Sequence, residues 1–174
     1  MRPFPVNKVN DVALFCQRPV NKKGRTLSMK DKPVLDVRIE FNGDAVQMKG
    51  ENGEVLMIPF KGSAEGEIFR GIVEPCGVDT QVVNAAGVRH MSARYMLTGV
   101  DADGVPCHIY VENNGWFDGE VLAMPFRTVP TFRTDSPRLA PYLHRSQFVG
   151  EGIELPDGLH IRFYEIEHIE GGRA

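Results

Sequence analysis

Apolar and polar residues alternate over strand-length stretches through most of this chain. The clearest run is Val34 to Phe41, where Leu35, Val37, Ile39 and Phe41 alternate with Asp36, Arg38 and Glu40. A period of two puts the two sets on opposite faces of a strand, one of them wet. Asn42-Gly43 closes the run with a strong hairpin signal. Val46 to Lys49 and Val55 to Lys61 read as two shorter strands joined by Gly50-Glu51-Asn52-Gly53. The longest pair, Phe69 to Val83 and Val88 to Thr98, flanks the loop Asn84-Ala85-Ala86-Gly87. Its first member carries Gly71, Pro75 and Gly77, which bend a strand or let another backbone come close. After the turn Asp101-Ala102-Asp103-Gly104, the run Cys107 to Glu112 alternates again, and Asn113-Asn114-Gly115 reads as the turn that ends it.

Three further segments have strand character: Val12 to Val20, which stops at Asn21-Lys22-Lys23-Gly24, then Pro125 to Thr134, and Leu159 to Ile169. Gly150 and Gly152 read as breaks. Only Ser136 to Arg145 has helical credentials, with Ser136 as N-cap, Pro137 at the first position and Pro141 keeping the helix short. A meander of this many strands must close or split into layers to hide its edges. The pattern therefore predicts an all-β protein, a single-domain antiparallel β-barrel with one short helix in its C-terminal third. The expected division is an arm over residues 1–11, a barrel over 12–169 and a tail over 170–174.

The chain has 174 residues, room for one domain with a sizeable core but not for two ordinary ones. Apolar residues make up 42% and charged residues 25%, ordinary globular usage, and 18 Gly with 12 Pro suit strands and turns. A net charge of −3 offers nothing that would attract nucleic acid or an anionic membrane. Neither an apolar leader core nor a bilayer-length apolar run is present. Cys16, Cys76 and Cys107 are odd in number and lie in no C-x-x-C spacing, which fits a reducing compartment. The expectation is a cytoplasmic protein. His90, His108, His144, His160 and His168 form no H-x-H or H-E-x-x-H pattern, so no metal site is expected. Cys76 and Cys107 read as small core residues rather than nucleophiles, and no G-x-S-x-G elbow occurs.

Four segments in order carry a family resemblance: Gly71 to Gln81, Ala93 to Leu97, Phe126 to Phe132, and Tyr142 to Gly152. Together they resemble the domain-of-unknown-function 3237 family of bacteria and fungi, over roughly residues 12–168. The resemblance implies an antiparallel, calycin- or lipocalin-like β-barrel with no settled activity. It carries over Asp79, Arg94, Arg127 and Thr128 as candidate site positions. The chain departs from the family pattern at Val78-Asp79-Thr80, where Gly-Asp-Trp is usual, and at Tyr142-Leu143-His144, where Trp-Leu-Asn is usual.

Two adjacent strands each present one apolar and one hydrophilic row. Met91, Ala93, Tyr95 and Leu97 oppose His90, Ser92, Arg94 and Met96, while Cys107, Ile109 and Val111 oppose His108, Tyr110 and Glu112. On one reading the hydrophilic rows face water. On the other they face a lumen, where Asp79, Arg94, Tyr110 and Glu112 would form a catalytic base, oxyanion holder and proton donor. Gln81, His108, Trp116, Arg127 and Thr128 are the candidate ligand-binding residues around them. Trp116 and Phe117 would cap the rim. The function expected is lumenal binding of a small, partly apolar, oxygenated molecule, with cofactor-independent acid–base turnover of a carbonyl compound left open. The rivals are a non-catalytic carrier barrel and a dimeric interaction module built on Val34 to Phe41 or Pro125 to Thr134; a homodimer is compatible with either ligand-binding reading.

Overall fold

The fold is described over residues 25–118 and 124–170 by a computed structural model, with backbone alone for 25–27 and 168–170. In chain order come β1 (Arg25–Met29), β2 (Leu35–Phe41), β3 (Val46–Gly50), β4 (Gly53–Glu65), β5 (Phe69–Asn84), β6 (Val88–Asp101) and β7 (Pro106–Asp118). They are followed by β8 (Phe126–Thr134), α1 (Ala140–Leu143), β9 (Phe148–Leu155) and β10 (Gly158–Glu170). Every pairing is antiparallel. The order β2-β4-β5-β6-β7-β8-β9-β10 closes because β10 pairs with both β9 and β2, giving an eight-stranded barrel. β1 extends the barrel along the far half of β10, and β3 continues β2 along β4. The predicted all-β barrel with one short helix is thus the fold. Among the described residues no helix is long and apolar enough to cross a membrane.

The expected arm over 1–11, the strand over 12–20 and the turn at 21–24 lie outside the described residues, as do residues 171–174 of the tail. Three local expectations change. Asn113-Asn114-Gly115 is strand rather than turn, because each residue pairs across to β6, at Ala93, Ser92 and Met91. Gly150 and Gly152 do not break the chain but sit inside β9. A Cβ at Gly152 would collide with the Phe126 ring, and one at Gly150 with Thr128 Oγ1, so these glycines make room for inward side chains of β8. The helix is shorter than expected. Ser136 does begin the turn, accepting the Leu139 N–H on Oγ and the Ala140 N–H on its carbonyl, but regular helix covers only Ala140–Leu143.

Of the strands proposed as dimer contacts, β2 is paired with β10 and β4, while β8 is paired with β7 over Val129–Thr134 and with β9 over Phe126–Thr128. Exposed apolar side chains include Phe41 at the end of β2 and, beside it, Val46 and Met48 of β3.

Alternation sorts the two faces, and the apolar set turns inward. Half of the lumen is solid hydrocarbon: Leu35, Val37, Val73, Leu97, Ile109, Phe132, Phe148 and Phe163 are buried there, and Leu139 and Leu143 from the helical segment close that end. Beside this plug lies Glu165, whose Oε2 accepts from Lys30 Nζ at 2.7 Å and Tyr142 OH at 3.0 Å, while Oε1 accepts from Arg145 Nη2 at 2.6 Å. Burial pushes the Glu165 carboxyl up, but the three donors more than offset it and hold it below its ordinary value. A carboxylate with a depressed folded value stabilises above its unfolded range and loses that contribution as pH falls through the folded value. Glu165→Gln is therefore expected to cost about 1–3 kcal/mol at neutral pH, with Lys30 and Arg145 half-exposed and partly screened. Urea melts across pH should show the deficit shrinking on acidification; a deficit that does not change with pH would refute the charge argument.

Candidate functional site

The other half of the lumen is hollow. A cavity of about 350 Å³ lies between β2, β4, β5, β6, β7, β8 and β10, walled by Ile58, Phe60, Met91, Phe126 and Ile161 among others. Phe41 and Met124 stand at its mouth, 65% and 49% exposed. The hollow exists because inward positions here carry small or polar side chains (Asp79, Gln81, Ala93, Asn113 and Thr128), where the closed half carries Phe and Leu.

Register decides which polar residues enter. Asp79 pairs with Ala93 and Val78 with Arg94, so Asp79 shares the inward row and Arg94 the outward one. A two-residue offset between Val73 and Val78, spanning Pro75 and Gly77, keeps the inward row in phase past the bulge. Within the cavity Asp79 Oδ2 accepts from Gln81 Nε2 at 2.8 Å, and Gln81 Oε1 accepts from Arg89 Nη1 at 2.7 Å. The result is a guanidinium–amide–carboxylate chain running across β6 and β5.

Burial pushes the Asp79 carboxyl up, against the Gln81 amide, the charge of His90, the backbone N–H of Ser92 and the charge of Arg89. Burial likewise holds the Tyr95 phenol far above its usual range, so its hydroxyl remains a donor. Its ring packs edge-on against Phe60 at 5.3 Å. Four atoms of cavity-lining residues, Asp79 Oδ1, Arg89 Nε, Tyr95 OH and Asn113 Oδ1, are buried without a hydrogen-bond partner among the described residues. Buried polar atoms are rarely left so, and four on one wall set call for an explanation.

Of the residues expected from sequence, Asp79, Gln81 and Thr128 line the cavity. The inward placement of the hydrophilic rows is corrected. Arg94 is 51% exposed and meets Glu112 on the outer face at 3.2 Å, and Tyr110 belongs to the same outward row of β7. An inward Arg94 would have had to shed its hydration inside hydrocarbon; outside it keeps water and a partner. The expected Asp79–Arg94 pair therefore does not form. His108 also faces out, bonded to Asp135, and Arg127 lies 3.5 Å from Glu151 on the outside. Trp116 stacks on His90 at 4.8 Å on the outer wall, whereas Phe117 turns inward against Phe126.

Sequence reasoning missed Arg89, Tyr95 and Asn113. The signal was present: each continues an apolar row, Arg89 and Tyr95 with Met91 and Ala93, Asn113 with Ile109 and Val111. A polar residue in the phase of a core row either finds a partner or marks a cavity. Among the described residues no group of three or more His, Cys, Asp or Glu side chains is placed to hold a metal ion.

Fold and cavity together define a closed antiparallel β-barrel with a lumen of small-ligand size. The chain belongs to the DUF3237 family of proteins of unknown function, whose model matches residues 29–166. A UPF0311 protein of Clostridium acetobutylicum is 34% identical over 129 residues, covering 66% of this chain and 78% of that one. A crystal structure of a protein of unknown function from the same organism aligns with TM-score 0.64 at 30% identity, covering 80% of this chain and 98% of that one. An enzyme from Penicillium herquei shares the fold at TM-score 0.55 and 18% identity, over 85% of this chain and 98% of that one.

Proposed function

We propose that the barrel binds a small, partly apolar, oxygenated molecule in its lumen and uses Asp79 for cofactor-independent acid–base chemistry on a carbonyl compound. The observation that carries this reading is the set of four partnerless polar atoms on the walls of one apolar cavity. Hydrocarbon walls supply affinity, and a few convergent polar groups supply orientation. In such a site Asp79 Oδ1 takes a proton from the carbon beside the carbonyl and returns it to a neighbouring atom, while the Tyr95 hydroxyl donates to the oxygen on which charge develops. A carboxyl raised by burial is closer to neutral pH, where a proton-transfer group works best. The architecture is compatible with turnover, since a fungal enzyme shares it. Cys76 and Cys107 are free thiols, which fits a reducing, cytoplasmic setting.

The test is occupancy of the lumen. Ala93 lines the cavity at mid-strand directly across from Asp79, and Ala93→Phe fills the space in front of that carboxyl. A panel of oxygenated aromatic and aliphatic compounds should contain members that raise Tm of the wild-type protein and leave the folded variant unmoved. Shifts that persist in Ala93→Phe would place binding elsewhere, and a panel with no active member would remove the lumenal reading.

A further inference from the structure

Arg89 is the one cationic side chain among the residues lining the cavity. It is the second residue of β6, next to the β5–β6 turn and only partly buried, so its charge lies at the open end. Nη1 is committed to the Gln81 amide oxygen, whereas Nε has no partner; the Glu54 and Asp79 carboxylates act on the guanidinium through space, Glu54 from the same cross-strand row, without a direct ion pair among the described residues. What is left is the Nε–Nη2 edge, two parallel N–H bonds of the kind that match a carboxylate.

We propose that the lumenal ligand is a monocarboxylate with an apolar body and a second, neutral oxygen, its carboxylate held by Arg89 at the mouth and the inner oxygen by Asp79, Tyr95 and Asn113. This rests on the lumenal reading above. Charge balance selects the class. With Glu54 and Asp79 already acting on it, the single guanidinium can meet at most one further negative charge, and a phosphate dianion would enter without a second cation to meet it. Deeper in, the Asp79 carboxyl repels a second anion but accepts from a hydroxyl, or, once protonated, donates to a carbonyl. The Gln81 amide holds these two recognition points apart through its bonds of 2.7 and 2.8 Å, and apolar walls of Phe60, Phe126 and Ile161 flank the space between. Gln81 is thus a positioning residue, fixing the guanidinium and the carboxyl relative to each other.

Calorimetric titration of matched pairs decides the matter, using 3-benzoylpropionate and 4-phenylbutyrate against their primary amides. The wild-type protein is expected to prefer each acid by about 10- to 100-fold, the range for a charge-assisted bidentate contact. In Arg89→Gln the preference should fall to near one while amide affinity holds. In Arg89→Lys, which keeps the charge and loses the fork, it should be intermediate, and circular dichroism confirms that both variants fold. Equal binding of acid and amide to the wild type, or a preference that survives Arg89→Gln, overturns the carboxylate assignment and leaves the lumenal reading standing. Absence of binding by both series at millimolar concentration overturns both.

Discussion

Asp79→Asn is expected to stabilise the barrel at neutral pH while slowing any turnover about 10²- to 10⁴-fold, the usual contribution of a positioned acid or base. Burial is the largest influence on this carboxyl and pushes it up; the Gln81 amide and the His90 and Arg89 charges oppose that and do not prevail. A group whose folded value lies above its unfolded one, about 3.9 for Asp, favours folding most when protonated. Its contribution is complete below the unfolded range and is lost as pH rises through the raised folded value. Asparagine carries no charge to desolvate and can still accept from Gln81, so variant and wild type should melt alike near pH 3.5 and diverge upward. The gain is of order 1 kcal/mol, or about 2–4 °C in Tm for a chain of this size. An Asn variant less stable than wild type at pH 8 would mean that the carboxylate is satisfied where it stands, and the case for Asp79 as a poised proton carrier would fail. Stability given up at one buried acid is the pattern expected of a working site.

How far the sequence discloses this arrangement can be followed residue by residue. Strict alternation in Leu35–Phe41 and the turn signals at Asn42-Gly43 and Asn84–Gly87 lead directly to β2 and the β5–β6 hairpin, because period and turn chemistry are local properties. Closure also follows, since so many strands in series leave costly edges otherwise. What is not local is the direction of each face. Arg94 and Glu112 belong together, as the alternation implies, but whether their row looks in or out depends on which row fills the lumen. Phe132, Phe148 and Phe163 settle that from distant strands. Asp79 is the informative case: it is legible as a candidate through the family resemblance and as an acid just past the kink at Pro75 and Gly77. Gln81, two residues along the same strand, is legible beside it, whereas Arg89 becomes visible only when hairpin register places 79, 81 and 89 in one row. Gly150 and Gly152 show the same limit, since a strand glycine and a chain break look alike until the Phe126 ring arrives from β8.

The aromatic layer beside the cavity ties stability to ligand capacity, and Phe163→Ala measures that link. Phe163 is fully buried and meets Phe132 edge-on at 5.1 Å, with Phe148 completing the aromatic layer at 5.3 Å from Phe132. It lies two residues along β10 from Ile161, which lines the cavity, and its row passes Gly150 of β9 on the way to Thr128 of β8. Truncation removes a ring from a layer whose neighbours are pinned by closed strands on both sides, so collapse into the gap is restricted. The expected cost is about 3–5 kcal/mol, or roughly 6–20 °C in Tm at 2–4 °C per kcal/mol. The void is expected to open toward the existing hollow, because the Phe163 ring and Thr128, which lines the cavity, both crowd Gly150 and Ile161 lies two residues away. A ligand one aromatic ring longer than the wild-type lumen accepts should therefore restore part of the lost Tm in the variant and do nothing for the wild type. A loss below about 1 kcal/mol would show that the layer re-packs. A full-sized loss with no rescue by longer ligands would show that the plug and the cavity are energetically separate, and that the hollow half owes its shape to its own walls alone.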